Sequence, residues 1–230
     1  MTVLHLADEG ETADLAAFLA RLLHYDRGAA VRLQAAGTTL AVFGRPPSFE
    51  VLAIRTARLT KPYENGLDVA LDVTVSAGEL LETVDESAAT LTVPGSVTGP
   101  PWAGVLPPRG GWRPEPGLPE PDALRAMVAA AVAEFRSRTQ ELAAELRTRA
   151  ELDRIGREIW TRTVGDTPLP VRAVHAAQSL GFLRPAQAGR TAAEAPLALV
   201  SAGAWLRLRT PYGSIAVRRA GLGSLDVSVR

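Results

Sequence analysis

The chain has 230 residues, no cysteine, and 25 basic against 25 acidic side chains, for a formal charge of zero. Disulfides and thiolate metal sites are thereby excluded, and any nucleic-acid binding would have to rest on positive charge gathered on one face. Its 47% apolar and 22% charged residues are those of an ordinary globular chain.

Residues 2–6 (TVLHL) predict a first strand, and MTVLHLADEGE lacks the basic flank and long apolar run of a signal peptide. No apolar run reaches the roughly 18 residues of a membrane span, so a cytoplasmic protein without membrane contact is expected. A helix is predicted over 12–25, with Leu15, Phe18, Leu19, Leu22 and Leu23 on one stripe, Thr12 as its cap and Gly28 marking its end. Ala30–Val42 then alternates apolar and polar residues about a turn, the signature of a hairpin with one buried face. Pro46 and Pro47 close that hairpin, Phe49–Leu59 reads as a further strand, and 61–66 is a loop with an Asn-Gly turn.

Val69–Val75 is strand-like, and Ser76-Ala-Gly-Glu79 has capping-box spacing, placing a short helix near 79–84 before a strand at Ala89–Val93. Residues 94–121 are rich in Pro and Gly, hold Trp102 and Trp112, and predict loops with an edge strand between two halves. From Asp122, apolar residues recur at spacings of three and four through Leu146 and resume at Leu152, Ile155 and Ile159. One helix or two near-continuous ones over 122–160 is the economical reading, with a bend or helical hairpin near 149–153 as the alternative. Val171–Phe182 is a further helix, with Val174, Ala177 and Phe182 inward, and Ser224–Val229 is a last strand.

Trp205–Val217 lies over Ala30–Val42 without a gap, setting Leu206, Leu208, Ile215 and Val217 on Val31, Leu33, Leu40 and Val42. The predicted fold class is therefore α+β: repeated helix–hairpin–strand units forming antiparallel sheets, with one long helical insertion. The organisation expected is an N-terminal α+β unit at 1–93, a linker at 94–121, and a long helix with a C-terminal unit at 122–230.

Pro62-Tyr-Glu-Asn-Gly66 followed by Val73-Thr-Val-Ser-Ala-Gly-Glu-Leu-Leu81 resembles a stretch of the bacterial DNA sliding clamps, which are built from repeated β-α-β-β-β units. The resemblance implies a ring whose inner helices hold the phosphate backbone with Lys and Arg. This chain departs from that pattern: helix 12–25 offers only Arg21, and helix 79–84 is flanked by Glu79, Glu82, Asp85 and Glu86.

No Gly-x-Ser-x-Gly, P-loop or Gly-x-Gly-x-x-Gly motif occurs, and His5, His24 and His175 lack partners at metal-ligating spacing. No cofactor or metal is expected. The second hairpin sets Trp205, Arg207, Arg209 and Arg218 on its outer face, with Trp205 opposite Arg218 and Arg219 extending the basic end. This is a candidate surface for phosphate, nucleic acid or an acidic partner; the alternative is a face whose arginines pair with carboxylates of the long helix. The same region admits a winged-helix reading, with 152–160 and 171–182 as helices and Arg172, His175 and Gln178 as polar readers. Val128, Val132, Phe135, Leu142 and Leu146 form a heptad-like seam that either self-associates or docks a partner, or packs its stripe on the chain's own sheet.

The functional expectation is a non-enzymatic intracellular scaffold or regulatory protein that binds a protein partner or a second copy of itself as a homodimer. Nucleic-acid association through the basic hairpin is the second reading. The third is an enzyme with a dispersed carboxylate–arginine site, for which a buried acid beside Arg55 or Arg58 would be the mark.

Overall fold

The computed structural model describes residues 2–60, 71–185 and 197–219. Strand β1 (Val3–His5) leads into helix α1 (Glu9–Tyr25), followed by the meander β2 (Ala30–Ala36), β3 (Thr39–Gly44) and β4 (Leu52–Arg58). Next come β5 (Leu71–Ser76), α2 (Ala77–Glu82), β6 (Val84–Asp85) and β7 (Thr90–Thr92), and after an irregular segment β8 (Arg113–Glu115). Helices α3 (Pro121–Glu141), α4 (Arg149–Trp160) and α5 (Val171–Ser179) precede a second meander, β9 (Ala198–Ala202), β10 (Trp205–Thr210) and β11 (Gly213–Arg218). The class is α+β, with all strand pairs antiparallel.

Eight strands form one sheet in the order β5-β2-β3-β4-β11-β10-β9-β8, and β1-β7-β6 form a small second sheet. The large sheet reads the same from either edge: two helix-plus-meander units, α1-β2-β3-β4 and α5-β9-β10-β11, meet at β4 and β11. That junction spans three residue pairs, Leu52–Ala216, Ala53–Ile215 and Ile54–Ser214. Helix α1 packs on β4 and α5 on β11.

Both predicted hairpins form, with Leu206 opposite Val217, Leu208 opposite Ile215 and Leu33 opposite Val42. Their aliphatic faces join one core with Leu15, Phe18, Leu19 and Leu22 of α1 and Val174 and Ala177 of α5. The gapless overlay nevertheless does not describe the repeat. By position in the sheet, β2–β3 corresponds to β9–β10, so the back unit contains a strand that the overlay skips. The first turn is also centred one residue later, with Ala36 paired to Thr39 around Gly37 at φ 55°, which suits glycine.

Two local expectations change at α1 and the long helix. Asp8, not Thr12, caps α1: its Oδ1 accepts from the Glu11 backbone N–H at 2.8 Å, leaving Thr12 buried inside the first turn. Ser76 caps α2 as its spacing predicts, accepting from the Glu79 N–H at 3.3 Å. The 122–160 stretch is a helical hairpin, broken at 142–148 by extended backbone at Leu142 and a single 3-10 turn over 144–146. Thr148 caps α4 by accepting from the Glu151 N–H. The two arms are clipped by Arg138 to Glu158 and Arg162 to Glu134, with Phe135 against Trp160. The predicted loop at 61–66 and strand at 224–229 lie outside the described residues.

Gly213 opens β11 directly beneath Phe182: a Cβ there would sit 2.6–2.8 Å from three ring carbons. Gly213→Ala is expected to cost about 1–3 kcal/mol of stability through overpacking. Urea unfolding should show Phe182→Leu in the same chain recovering part of that loss.

Candidate functional site

The face of the large sheet opposite the helices carries the predicted basic residues. Trp205, Arg207 and Arg209 alternate with Leu206 and Leu208 along β10, so the aliphatic face in the core leaves them on the other side. Trp205 is paired with Arg218 in register, and the Arg218 guanidinium carbon lies 5.2 Å from the indole centroid, the cation–π contact the sequence implies. Arg219 is drawn away from this group by the carboxylate of Glu115 on β8. Hydrogen bonding from Ser201, and secondarily from Arg219, holds Glu115 below the ordinary carboxylate range.

Arg207 is the most constrained of the set. It is half-buried, flanked across the strands by Val200 and Ala216, and its Nε donates to Ser214 Oγ at 2.8 Å. The Trp112 ring centroid lies 5.8 Å from its guanidinium carbon. Burial, with a smaller contribution from neighbouring Arg209, pulls its pKa down to about 10. Arg209 and Arg218 are exposed, and among the described residues none of the three forms an ion pair. The alternative in which the long helix supplies their carboxylates does not hold, because every ion pair made by a carboxylate of residues 122–160 among the described residues is with an arginine at 125–162.

Trp112 reaches Arg207 because the Pro/Gly-rich segment crosses this face. Ser96 is bridged to Val75 on edge strand β5, whereas Arg113 pairs with Ser201 from the opposite edge strand β8. Seven inter-strand steps separate those edges, about 34 Å, well within reach of the intervening chain. Between them Trp102 and Leu106 pack on Phe43, Leu52, Ile54 and Ala216, a second small core that also takes in Trp205. Arg32 anchors the strap: it grips Asp72 with two hydrogen bonds of 2.7 and 2.8 Å and donates its remaining Nη1 to the Ala103 carbonyl. The Arg32 hydrogen bond holds the Asp72 carboxyl below its ordinary value.

On the helical face, β4 presents Arg55 between Ala53 and Ala57, which are core residues. Its Nη2 donates to Glu11 at 2.9 Å and Asp14 at 3.4 Å, and its Nη1 donates to the Tyr212 carbonyl at 2.9 Å. Arg58 holds Glu11 from the rim at 3.1 Å, and Arg184 pairs with Asp14 while lying 3.8 Å over the Tyr212 ring. The buried acid that the sequence reading sought beside Arg55 and Arg58 is therefore Glu11. Its carboxylate is committed to two guanidiniums, an arrangement that ties α1 to the sheet. A general acid–base needs a carboxyl placed to trade its proton with a reacting group.

The self-association seam is dispersed by the helical hairpin. Val128 is buried, Val132 packs on the core, and Phe135 turns toward Trp160. Leu142 lies at the end of α3, and Leu146 is exposed in the turn beyond it, so the five do not share one stripe. Of the winged-helix readers, His175 is occupied by packing. His175 is wedged between Trp160, stacked at 4.7 Å, and Phe49 at 5.0 Å, and burial lowers its pKa. Arg172 is half-buried, leaving Gln178 as the one exposed member of the three. Among the described residues no group of three or more His, Asp or Glu converges to hold a metal ion.

Two outcomes test these contacts. Arg55→Ala leaves buried carboxylates short of their counter-charge and is expected to cost about 3–5 kcal/mol, read by denaturant unfolding. The depressed pKa of Asp72 means that its stabilisation of the strap is complete above about pH 4 and is lost as pH falls through the folded value. The fluorescence difference between the chain and Trp102→Phe should therefore change at acid pH. Asp72→Asn should show the acid-like signal already at pH 7.

Comparison with known proteins places two adjoining matches on this architecture. The domain of unknown function DUF8010 matches residues 1–104, and the domain of unknown function DUF8185 matches residues 107–222, so that their junction falls within the strap. Neither the curated proteins nor the solved structures contain a match to the chain. The second match spans just over half of the sequence, and the chain belongs to the family described as domain of unknown function DUF8185.

Proposed function

We propose that this protein is a non-enzymatic binding protein whose working surface is the strapped face of its sheet, where β10 and β11 recognise an anionic partner. The observation that carries the reading is that three arginines without an ion pair among the described residues are gathered on two paired strands, with Arg207 among them half-buried. On the helical hairpin Arg138, Arg154 and Arg162 are matched by carboxylates, and Arg136, Arg147 and Arg157, which form no ion pair among the described residues, are exposed to solvent. On the β10–β11 face Arg207, Arg209 and Arg218 make none of the ion pairs seen among the described residues. A half-buried guanidinium without a counter-charge is a standing cost, and an arriving anion offsets it.

Trp112 and Trp205 bound that charge with flat apolar rings, supporting recognition of a ligand that presents both an anion and a planar or apolar group. Zero net charge does not oppose this, because local field rather than total charge steers binding at short range. The carboxylate–arginine cluster around Arg55 supports the same reading from the other side, since its charges are consumed in holding the fold together.

Retention on an immobilised polyanion tests the proposal. Arg207→Ala/Arg209→Ala/Arg218→Ala is expected to elute at clearly lower salt than the unmodified chain, as loss of charge contacts weakens the salt dependence of binding. Arg138→Ala/Arg154→Ala removes charge from the helical hairpin and should elute close to the unmodified chain. Equal elution of the β10–β11 variant and the unmodified chain overturns the reading.

A further inference from the structure

We propose that Arg207, Ser214 and Trp112 form a site for one phosphorylated nucleotide unit, with the phosphate on the guanidinium and the base against the indole. This rests on the anion-binding reading above and narrows its ligand. A guanidinium matches a phosphate with parallel N–H donors. The Arg207 Nε is committed to Ser214 Oγ, which fixes the plane of the group and leaves its terminal nitrogens for an oxyanion. Ser214 is buried; its oxygen accepts from Arg207, so its own O–H is free to donate to the same anion. Arg209 is the register partner of Ser214 across the hairpin and brings a second positive charge to the same spot.

A carboxylate would satisfy Arg207 as well, but it would leave the aromatic side of the site unexplained. The Trp112 ring is tethered by its edge, because its Nε1 donates to the Pro108 carbonyl at 3.0 Å. Gly111, at φ 77°, turns the strap immediately before it. Edge tethering fixes the ring plane with one face toward Arg207, and the opposite face is the one assigned to stacking. Trp205 repeats the pairing of indole and guanidinium one register step along, with Arg218. Alternating aromatic planes and guanidiniums suit bases joined to phosphates, since every base carries a π-face and sequence preference is then slight. The shared chemistry is a phosphate bonded through a sugar to a base, supplied either by a free nucleotide or by a single strand.

The experiment is a fluorescence titration of the full chain at low salt with adenosine 5′-monophosphate, a single-stranded oligodeoxyadenylate, inorganic phosphate and polyglutamate. Binding of the nucleotide or the oligonucleotide, weakened about tenfold by Trp112→Ala and at least as much by Arg207→Gln, is the expected result. Arg209→Ala alters an exposed side chain and should weaken binding several-fold with unchanged circular dichroism, which covers the case in which the Arg207 variant fails to fold. Comparable affinity for the mononucleotide assigns the free source, and binding of the oligonucleotide alone assigns the single strand. If polyglutamate or inorganic phosphate binds as well as either, and Trp112→Ala is without effect, the nucleotide assignment falls while the anion-binding face stands. If none of the four binds, both fall.

Discussion

Arg55 is the constraint around which the molecule is organised. It occupies a position that alternation assigns to the core, in a central strand with both faces covered, and a guanidinium cannot remain there unpaired. Glu11 and Asp14 of α1 supply the charge, and the carbonyl of Tyr212 in the β10–β11 turn takes another of its donors. One side chain thus fixes the first helix, the fourth strand and the turn of the last hairpin together. The short β4–β11 ladder, at three residue pairs, would otherwise be a thin connection between the two meanders.

Burying charge on the helical side leaves the other side of the sheet to be covered differently. There the chain uses a strap instead of helices, and the strap is held by a polar anchor at Arg32 and by a small apolar cluster under Trp102 and Leu106. Such a cover shields the sheet centre while leaving Arg209 and Arg218 exposed and Trp112 beside Arg207. Charge is paired where it is buried under the helices, at Arg55, while Arg207, Arg209 and Arg218 on β10 and β11 form no ion pair among the described residues.

The periodic elements were legible from sequence, and the central ones less so. Both hairpins, the α1 stripe and the Ser76 cap follow from local pattern, and the pairing of Trp205 with Arg218 follows from the turn. Strand β9 was missed because Leu199 and Val200 are both buried, so the alternation that marks a one-sided strand is absent. Arg55 was legible only as a conditional, since nothing local reveals that α1 brings Glu11 over it. The break of the long helix at Leu142 has no Gly or Pro to announce it, and the ion pairs that hold α4 along α3 join residues 20 and 28 positions apart, beyond the reach of local pattern. Trp112 could not be placed beside Arg207 without knowing that residues 96 and 113 lie at opposite edges of one sheet.

The mirrored strand order has a consequence for self-recognition. An open sheet ends in two rows of unused backbone donors and acceptors, and such rows recruit further chains into aggregates. Here one boundary strand, β5, is capped by the Ser96 bridge at the point where the strap departs. The other, β8, is only three residues long and has Pro114 at its middle, where no N–H is available to template a newcomer. The segment that joins the two halves therefore also serves as the guard at both rims, and lengthening β8 or replacing its proline would unmask a growth point.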